Sequence, residues 1–120
     1  MTDKLRFGQF ISEKRLQHSM NKQELAGLIG ISTAYLSQIE SGIRSNPKEE
    51  IIANLIFCLH LTTEETYKLY DLYAVANSTI AIDVTQYIKQ NAIVSKAIRI
   101  AEKYGAKESD WLEFIEKLNK

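Results

Sequence analysis

The stretch NKQELAGLIGISTAYLSQIESG, residues 21–42, decides the fold. Asn21 is followed three residues later by Glu24, the spacing at which an N-cap side chain and an N3 carboxylate satisfy each other's backbone N–H groups and start a helix. Leu25, Ala26, Leu28 and Ile29 then give that helix an inward face, and Leu36 and Ile39 do the same for a second helix. Gly30 permits a sharp reversal between them, Ser32 is placed to cap the second helix, and Ile31 can plug the corner.

At about 100° per residue, the outer side of the second helix carries Ala34, Ser37, Gln38 and Ser41, with Thr33 at its N-terminal tip. None is Lys or Glu, although a surface helix ordinarily places charge on its solvent face. A B-DNA major groove explains such a face. It admits a helix, and its base edges offer donors and acceptors that Gln, Ser and Thr can meet, while small side chains allow close approach and contact with thymine methyl groups. Asn21 and Lys22 before the first helix, with Arg44 and Asn46 after the second, suit phosphate oxygens, which set register without reporting sequence.

Charge around this stretch agrees. The whole chain balances 15 Lys+Arg with 15 Asp+Glu over 120 residues. Between positions 4 and 48, however, seven cations (Lys4, Arg6, Lys14, Arg15, Lys22, Arg44, Lys48) face three anions (Glu13, Glu24, Glu40), an excess of four. Compensating acid follows, including Glu49, Glu50, Glu64, Glu65 and Asp71.

Helical periodicity extends outward in both directions, and no alternating run is long enough for a sheet, so the chain is expected to be all-α. Helices are predicted over about residues 4–18, 22–29, 33–41, 47–59, 63–76, 84–90, 92–104 and 108–118. Asn46 with Glu49, Thr62 with Glu65, and Asp83 with Gln86 repeat the capping-box spacing, and Pro47 would sit at N1. Gly30, Gly42 and Gly105 mark left-handed helix stops. The segment NSTIAI, residues 77–82, is the candidate linker.

Taken together, Gln23-Glu24-Leu25-Ala26, Gly30-Ile31-Ser32, Tyr35 through Gly42, Arg44 and Pro47 resemble the Cro/C1-type (XRE-like) helix-turn-helix family of bacterial and phage transcription regulators. The resemblance covers about residues 4–61. It implies a lambda-repressor-like bundle of four to five helices, here with an additional C-terminal helical extension. The expected organisation is a DNA-binding domain over 1–62 and a helical region over 63–120 for dimerisation or partner binding. The family's base-reading positions fall on Thr33, Ala34, Ser37 and Gln38, and its phosphate-contacting positions on Asn21, Lys22 and Arg44. Tyr35 lies at the flank, where its ring could pack and its hydroxyl could meet a phosphate. The resemblance also implies that Arg15 and Glu40 form a structural ion pair between the first and third helices. Two departures stand out: His60 occupies a place where similar sequences often have Gly, and the loop 43–46 carries positive charge only at Arg44.

A single helix-turn-helix reads only a few base pairs, so a twofold partner is expected. In 61–76, Leu69, Leu72, Tyr73 and Ala76 form one apolar stripe while Tyr67, Tyr70 and Ala74 form a second, more than one core-facing side requires. Ile93, Ala97, Ile100, Ala101 and Tyr104 line a later helix, and Trp111, Phe114, Ile115 and Leu118 line the last. These residues either pack as a second small core or form a twofold interface. Tyr67, Tyr70, Ala74, Trp111 and Phe114 are the interface candidates.

Other chemistries lack support. The single Cys58, in LIFCLHL, is expected to be a small buried hydrophobe, which fits a cytoplasmic protein without disulfides. No apolar run reaches the roughly 18 residues of a membrane span. His18 and His60 are far apart in sequence and lack Cys or carboxylates at ligand spacing, so neither a metal nor another cofactor is expected. No nucleophile has a positioned base, and no phosphate-binding glycine pattern occurs, so an enzyme is not expected. The expectation is a repressor that binds double-stranded DNA at a palindromic operator as a homodimer. The alternative is an antitoxin-like or adaptor module that binds a protein partner through its C-terminal helices.

Overall fold

The computed structural model describes all 120 residues as eight helices: α1 (Asp3–Gln17), α2 (Lys22–Ile29), α3 (Thr33–Glu40), α4 (Glu49–Cys58), α5 (Thr63–Ala76), α6 (Ile82–Gln90), α7 (Ala92–Lys103) and α8 (Glu108–Leu118). Local sequence chemistry starts most of the early ones. The Thr2 hydroxyl accepts from the Leu5 N–H at 3.1 Å to cap α1. Asn21 and Glu24 form a reciprocal capping box on α2, as do Thr62 and Glu65 on α5. Gly30, Gly42 and Gly105 all adopt positive φ, at 76°, 83° and 69°.

Two starts differ from expectation. The α4 N-cap is Lys48, in extended conformation and without a side-chain cap, so Asn46 and Glu49 form no box and Pro47 precedes the helix. Pro47 is fully buried and Ser45 is buried too. The Asn77 amide donates to the Ser45 carbonyl at 2.6 Å. These tertiary contacts hold residues 45–47 outside the helix, which starts after Lys48. Asp83 likewise lies inside the first turn of α6 instead of capping it. The expected linker is anchored, with Asn77 bonded to Ser45 and to the Tyr73 carbonyl, and with Ala81 and Ile82 buried.

The chain divides into two compact units, Met1–Val84 and Thr85–Lys120. The spatial boundary thus lies beyond the 62/63 division read from sequence. The reason is α5, which packs along α1. Leu69 is fully buried, the Tyr73 ring meets Phe7 edge-on at 5.8 Å, and the Lys14 ammonium pairs with the Glu65 carboxylate. Helix α1 is the centre of this unit, touching both α3 and α5, while α2 packs on α3 and α4. Phe7, Ile11, Leu25, Leu36, Ile39, Ile52, Leu55 and Leu59 fill the space between them with no exposed area to speak of.

Gly8 sets the approach of α1 to α3. A Cβ at this position would lie 2.4 Å from the carbonyl oxygens of both Ile39 and Glu40. Only hydrogen allows the backbones so close.

Two apolar residues read as inward are not. Leu28 on α2 is 62% exposed. Cys58 is half-buried at the end of α4, not a core residue.

In the second unit, α7 and α8 hold no buried residue at all. No helix of the chain is long and apolar enough to cross a membrane.

Candidate nucleic-acid interface

Helix α3 is fixed by its caps and its core face. Ser32 Oγ accepts from the Tyr35 N–H at 3.0 Å, Leu36 and Ile39 insert into the core, and Gly42 ends the segment. Its opposite side is left to solvent. Thr33, Ala34 and Ser41 are exposed, and Ser37 and Gln38 are half-buried. Ser37, Gln38 and Ser41 share a shallow depression of about 450 Å³ with Ser12, Lys22 and Ile43.

Three contacts shape this surface. The Lys22 ammonium on α2 donates to Ser37 Oγ at 2.9 Å. The Ser41 hydroxyl donates to the Gln38 carbonyl at 3.2 Å, and the Arg44 backbone N–H donates to the same carbonyl at 3.1 Å. The chain after α3 thereby folds back so that Arg44 stands, exposed, beside the helix end.

Beneath the depression lies a buried ion pair. The Arg15 Nε donates to Glu40 Oε2 at 2.8 Å, its Nη2 donates to Oε1 at 2.9 Å, and its Nη1 donates to the Met20 carbonyl at 2.8 Å. Both residues are 7% exposed. The hydrogen bonds to Glu40 raise the guanidinium pKa, burial opposes them, and the attraction of the Glu40 charge raises it further. Two-pronged pairing of this kind fixes relative orientation as well as charge. Here it ties α1 to the C-terminal end of α3.

The phosphate candidates are placed unequally. Asn21 is exposed, but its Oδ1 accepts from the Glu24 N–H at 2.8 Å, so only its amide nitrogen is left to donate outward. Tyr35 is half-buried against the core. Arg44 and Asn46 are exposed. Of the seven cations between positions 4 and 48, Arg6 pairs with Asp3, Lys14 with Glu65 and Arg15 with Glu40. Lys4, Lys22, Arg44 and Lys48 form no ion pair and supply the uncompensated charge.

His18 and His60, distant in sequence, come together with ring centroids 5.6 Å apart. His18 Nε2 donates to the Leu59 carbonyl at 2.7 Å. His60 has φ +49°, the left-handed conformation that glycine would adopt most easily. No group of three His, Cys, Asp or Glu side chains is positioned to hold a metal.

Among the interface candidates, Tyr67 is 56% exposed on α5. Tyr70 packs against the core, where burial raises the pKa of its hydroxyl and the charges of Asp83 and Glu49 add to the effect. Ala74 is half-buried. Trp111 and Phe114 line an apolar groove of about 680 Å³ within the second unit.

Two capped helices, a glycine reversal, and a neutral hydrogen-bonding face on the second helix match the family described as Helix-turn-helix over residues 11–56. Residues 11–56 are a helix-turn-helix domain of the Cro/C1 type. The match covers this segment alone and supports DNA binding by it. No curated protein and no solved structure matched. Sequence reasoning did not single out Gly8, Ser12 or Ile43. Each takes its place through contacts between helices that are distant along the chain.

Proposed function

We propose that this protein is a sequence-specific transcription regulator that binds a palindromic operator as a homodimer and represses by occluding the promoter. Helix α3 enters the major groove, where Thr33, Ala34, Ser37 and Gln38 read base edges. Gln38 is suited to bidentate pairing with adenine, Ser37 to a single hydrogen bond, and Ala34 to a thymine methyl. Asn21, Lys22, Tyr35, Arg44 and Asn46 hold phosphates and set the register. The observation that carries this reading is the uncharged, open side of α3 flanked by the unpaired cations Lys22 and Arg44. With few free cations, phosphate contacts are limited, so useful affinity depends on two copies binding together and the salt dependence is shallow.

Selection of bound duplexes from a random-sequence pool tests it. An inverted repeat with half-site centres about 10 base pairs apart is expected if both α3 helices enter successive grooves on one side of the DNA. Recovery of unselected sequence would refute base reading.

The open apolar side chains of α7 and α8 favour a second reading, an antitoxin-like or adaptor protein whose C-terminal helices hold another protein. Co-purification from the native host distinguishes it.

A further inference from the structure

Within the second unit, side chains of α7 and α8 enclose a groove of about 680 Å³. Val94, Ala97 and Ala101 line it from α7, at the three- and four-residue spacing of one helix face, and Trp111, Phe114 and Leu118 line it from α8. The two alanines are short, and that leaves the groove its depth. Trp111 keeps 44% of its area open and Phe114 52%. The volume falls within the roughly 300–1,000 Å³ of small-molecule sites, which are likewise walled by apolar and aromatic side chains with few polar groups. The open area of the lining falls well short of the roughly 800 Å² per partner of a stable protein interface. The groove is thus sized for a small molecule.

One charged residue lines it. Asp110, in the first turn of α8, is the single ionisable group of the lining besides the Tyr87 phenol. Its Oδ2 accepts from the Lys107 backbone N–H at 2.8 Å, and Oδ1 is left to meet a ligand. Asp110 belongs to none of the ion pairs of the chain. Lys103, at the end of α7, has its ammonium over the Tyr104 ring, 5.5 Å from the centroid, and lies outside the lining. An anion in this groove would meet like charge against apolar walls. A neutral apolar occupant would strip water from the carboxylate and offer nothing in return. A cation meets both needs, and the indole of Trp111, next to Asp110 in the same lining, gives it a ring face as well. From Asp110 to Leu118 the groove follows about 12 Å of helix, with charge at one end and apolar side chains along the rest.

We propose that the groove between α7 and α8 binds a small apolar cation, an organic ammonium, guanidinium or phosphonium. Its charge lies against Asp110 Oδ1 and the Trp111 ring, and its apolar body lies along Phe114, Leu118 and Ala97. This site goes beyond the reading of the protein as a transcription regulator and does not rest on it.

The test uses the full chain and two probes of the same shape and opposite charge, tetraphenylphosphonium and tetraphenylborate. Trp111 is the single tryptophan and lines the groove, so its emission reports occupancy. Tetraphenylphosphonium is expected to change that emission saturably, and tetraphenylborate to bind about tenfold more weakly. Asp110→Asn keeps an oxygen to accept from the Lys107 N–H and removes only the charge. It is expected to weaken phosphonium binding about fivefold and to remove most of the preference between the probes. Ala101→Leu fills the groove and is expected to weaken both probes. Equal binding of the two probes by wild type, an undiminished preference in Asp110→Asn, unchanged binding by Ala101→Leu, or emission that ignores the phosphonium because a second copy or another protein covers the groove would each overturn the proposal. Should the variants fail to fold, the preference of wild type between the probes decides the matter alone. Operator binding is measured separately with duplex DNA, so a chain that ignores DNA would leave this site standing, and a chain that binds DNA but not the phosphonium would leave the regulatory reading standing.

Discussion

The Lys22 ammonium lies 2.9 Å from the hydroxyl oxygen of Ser37, joining the start of α2 to the exposed side of α3. An ammonium only donates, so the contact occupies a lone pair on Ser37 Oγ and leaves the hydroxyl hydrogen free to point outward. Ser37 is then presented as a donor, matched to acceptors such as guanine N7 and O6 or thymine O4. Lys22→Ala should therefore change the base preferred under Ser37 as well as reducing the salt slope by about one. Sites selected with the variant measure both effects, and unchanged preference would reduce Lys22 to a phosphate contact.

Gly8→Ala introduces a methyl group where the carbonyls of Ile39 and Glu40 stand 2.4 Å away. Backbone atoms cannot rotate aside, so α1 must move off α3. The expected loss is about 3 kcal/mol, the upper end for overpacking, read from chemical denaturation. Gly27, with nothing within 4 Å of a Cβ, is the control: Gly27→Ala should be neutral or slightly stabilising in its exposed helix.

Removing one member of the Arg15–Glu40 pair leaves a buried charge without its partner. Glu40→Gln should cost about 3 kcal/mol and lower the melting temperature before it alters which operator is chosen. The double variant Arg15→Met, Glu40→Leu should recover much of the loss, since paired apolar replacements remove the desolvation penalty along with the attraction. An unchanged melting temperature for Glu40→Gln would contradict the role assigned to the pair.

Glu65 carries a pH dependence. Its hydrogen bond from Lys14, with further help from the Thr62 backbone N–H, lowers its pKa from 4.5 to about 2. A carboxylate depressed in the folded state stabilises the fold fully above its unfolded pKa and loses that contribution as pH falls toward the folded value. Between pH 4.5 and 2, wild type should lose melting temperature faster than Glu65→Gln does. Parallel curves for the two proteins would show that the Lys14–Glu65 contact does not couple α5 to α1.

Features governed by neighbours along the chain were legible in the sequence. The boxes at Asn21–Glu24 and Thr62–Glu65, the Ser32 cap and the three left-handed glycines depend on residues within one turn, and α2 and α5 begin and end where periodicity puts them. The same box spacing at Asn46–Glu49 misled, because buried Pro47 and the Asn77–Ser45 hydrogen bond hold the chain there outside the helix, which no local rule anticipates. Leu28 is apolar at a helical spacing yet open to solvent. Placement of α5 also depended on long-range packing, for Tyr73 finds Phe7 and Glu65 finds Lys14 only once the bundle exists. At the candidate site, the small uncharged residues of α3 were legible from composition and phase. The Lys22–Ser37 hydrogen bond and the close backbone approach at Gly8 were not, since both arise between helices whose spacing only the folded core sets.

The most direct measurement is the affinity of Gln38→Ala for a selected operator and for random duplex, at the same salt concentration. Loss of about 1–3 kcal/mol on the operator alone, with random DNA bound as before, is the predicted result. Equal weakening on both, or none on either, would contradict base reading by α3.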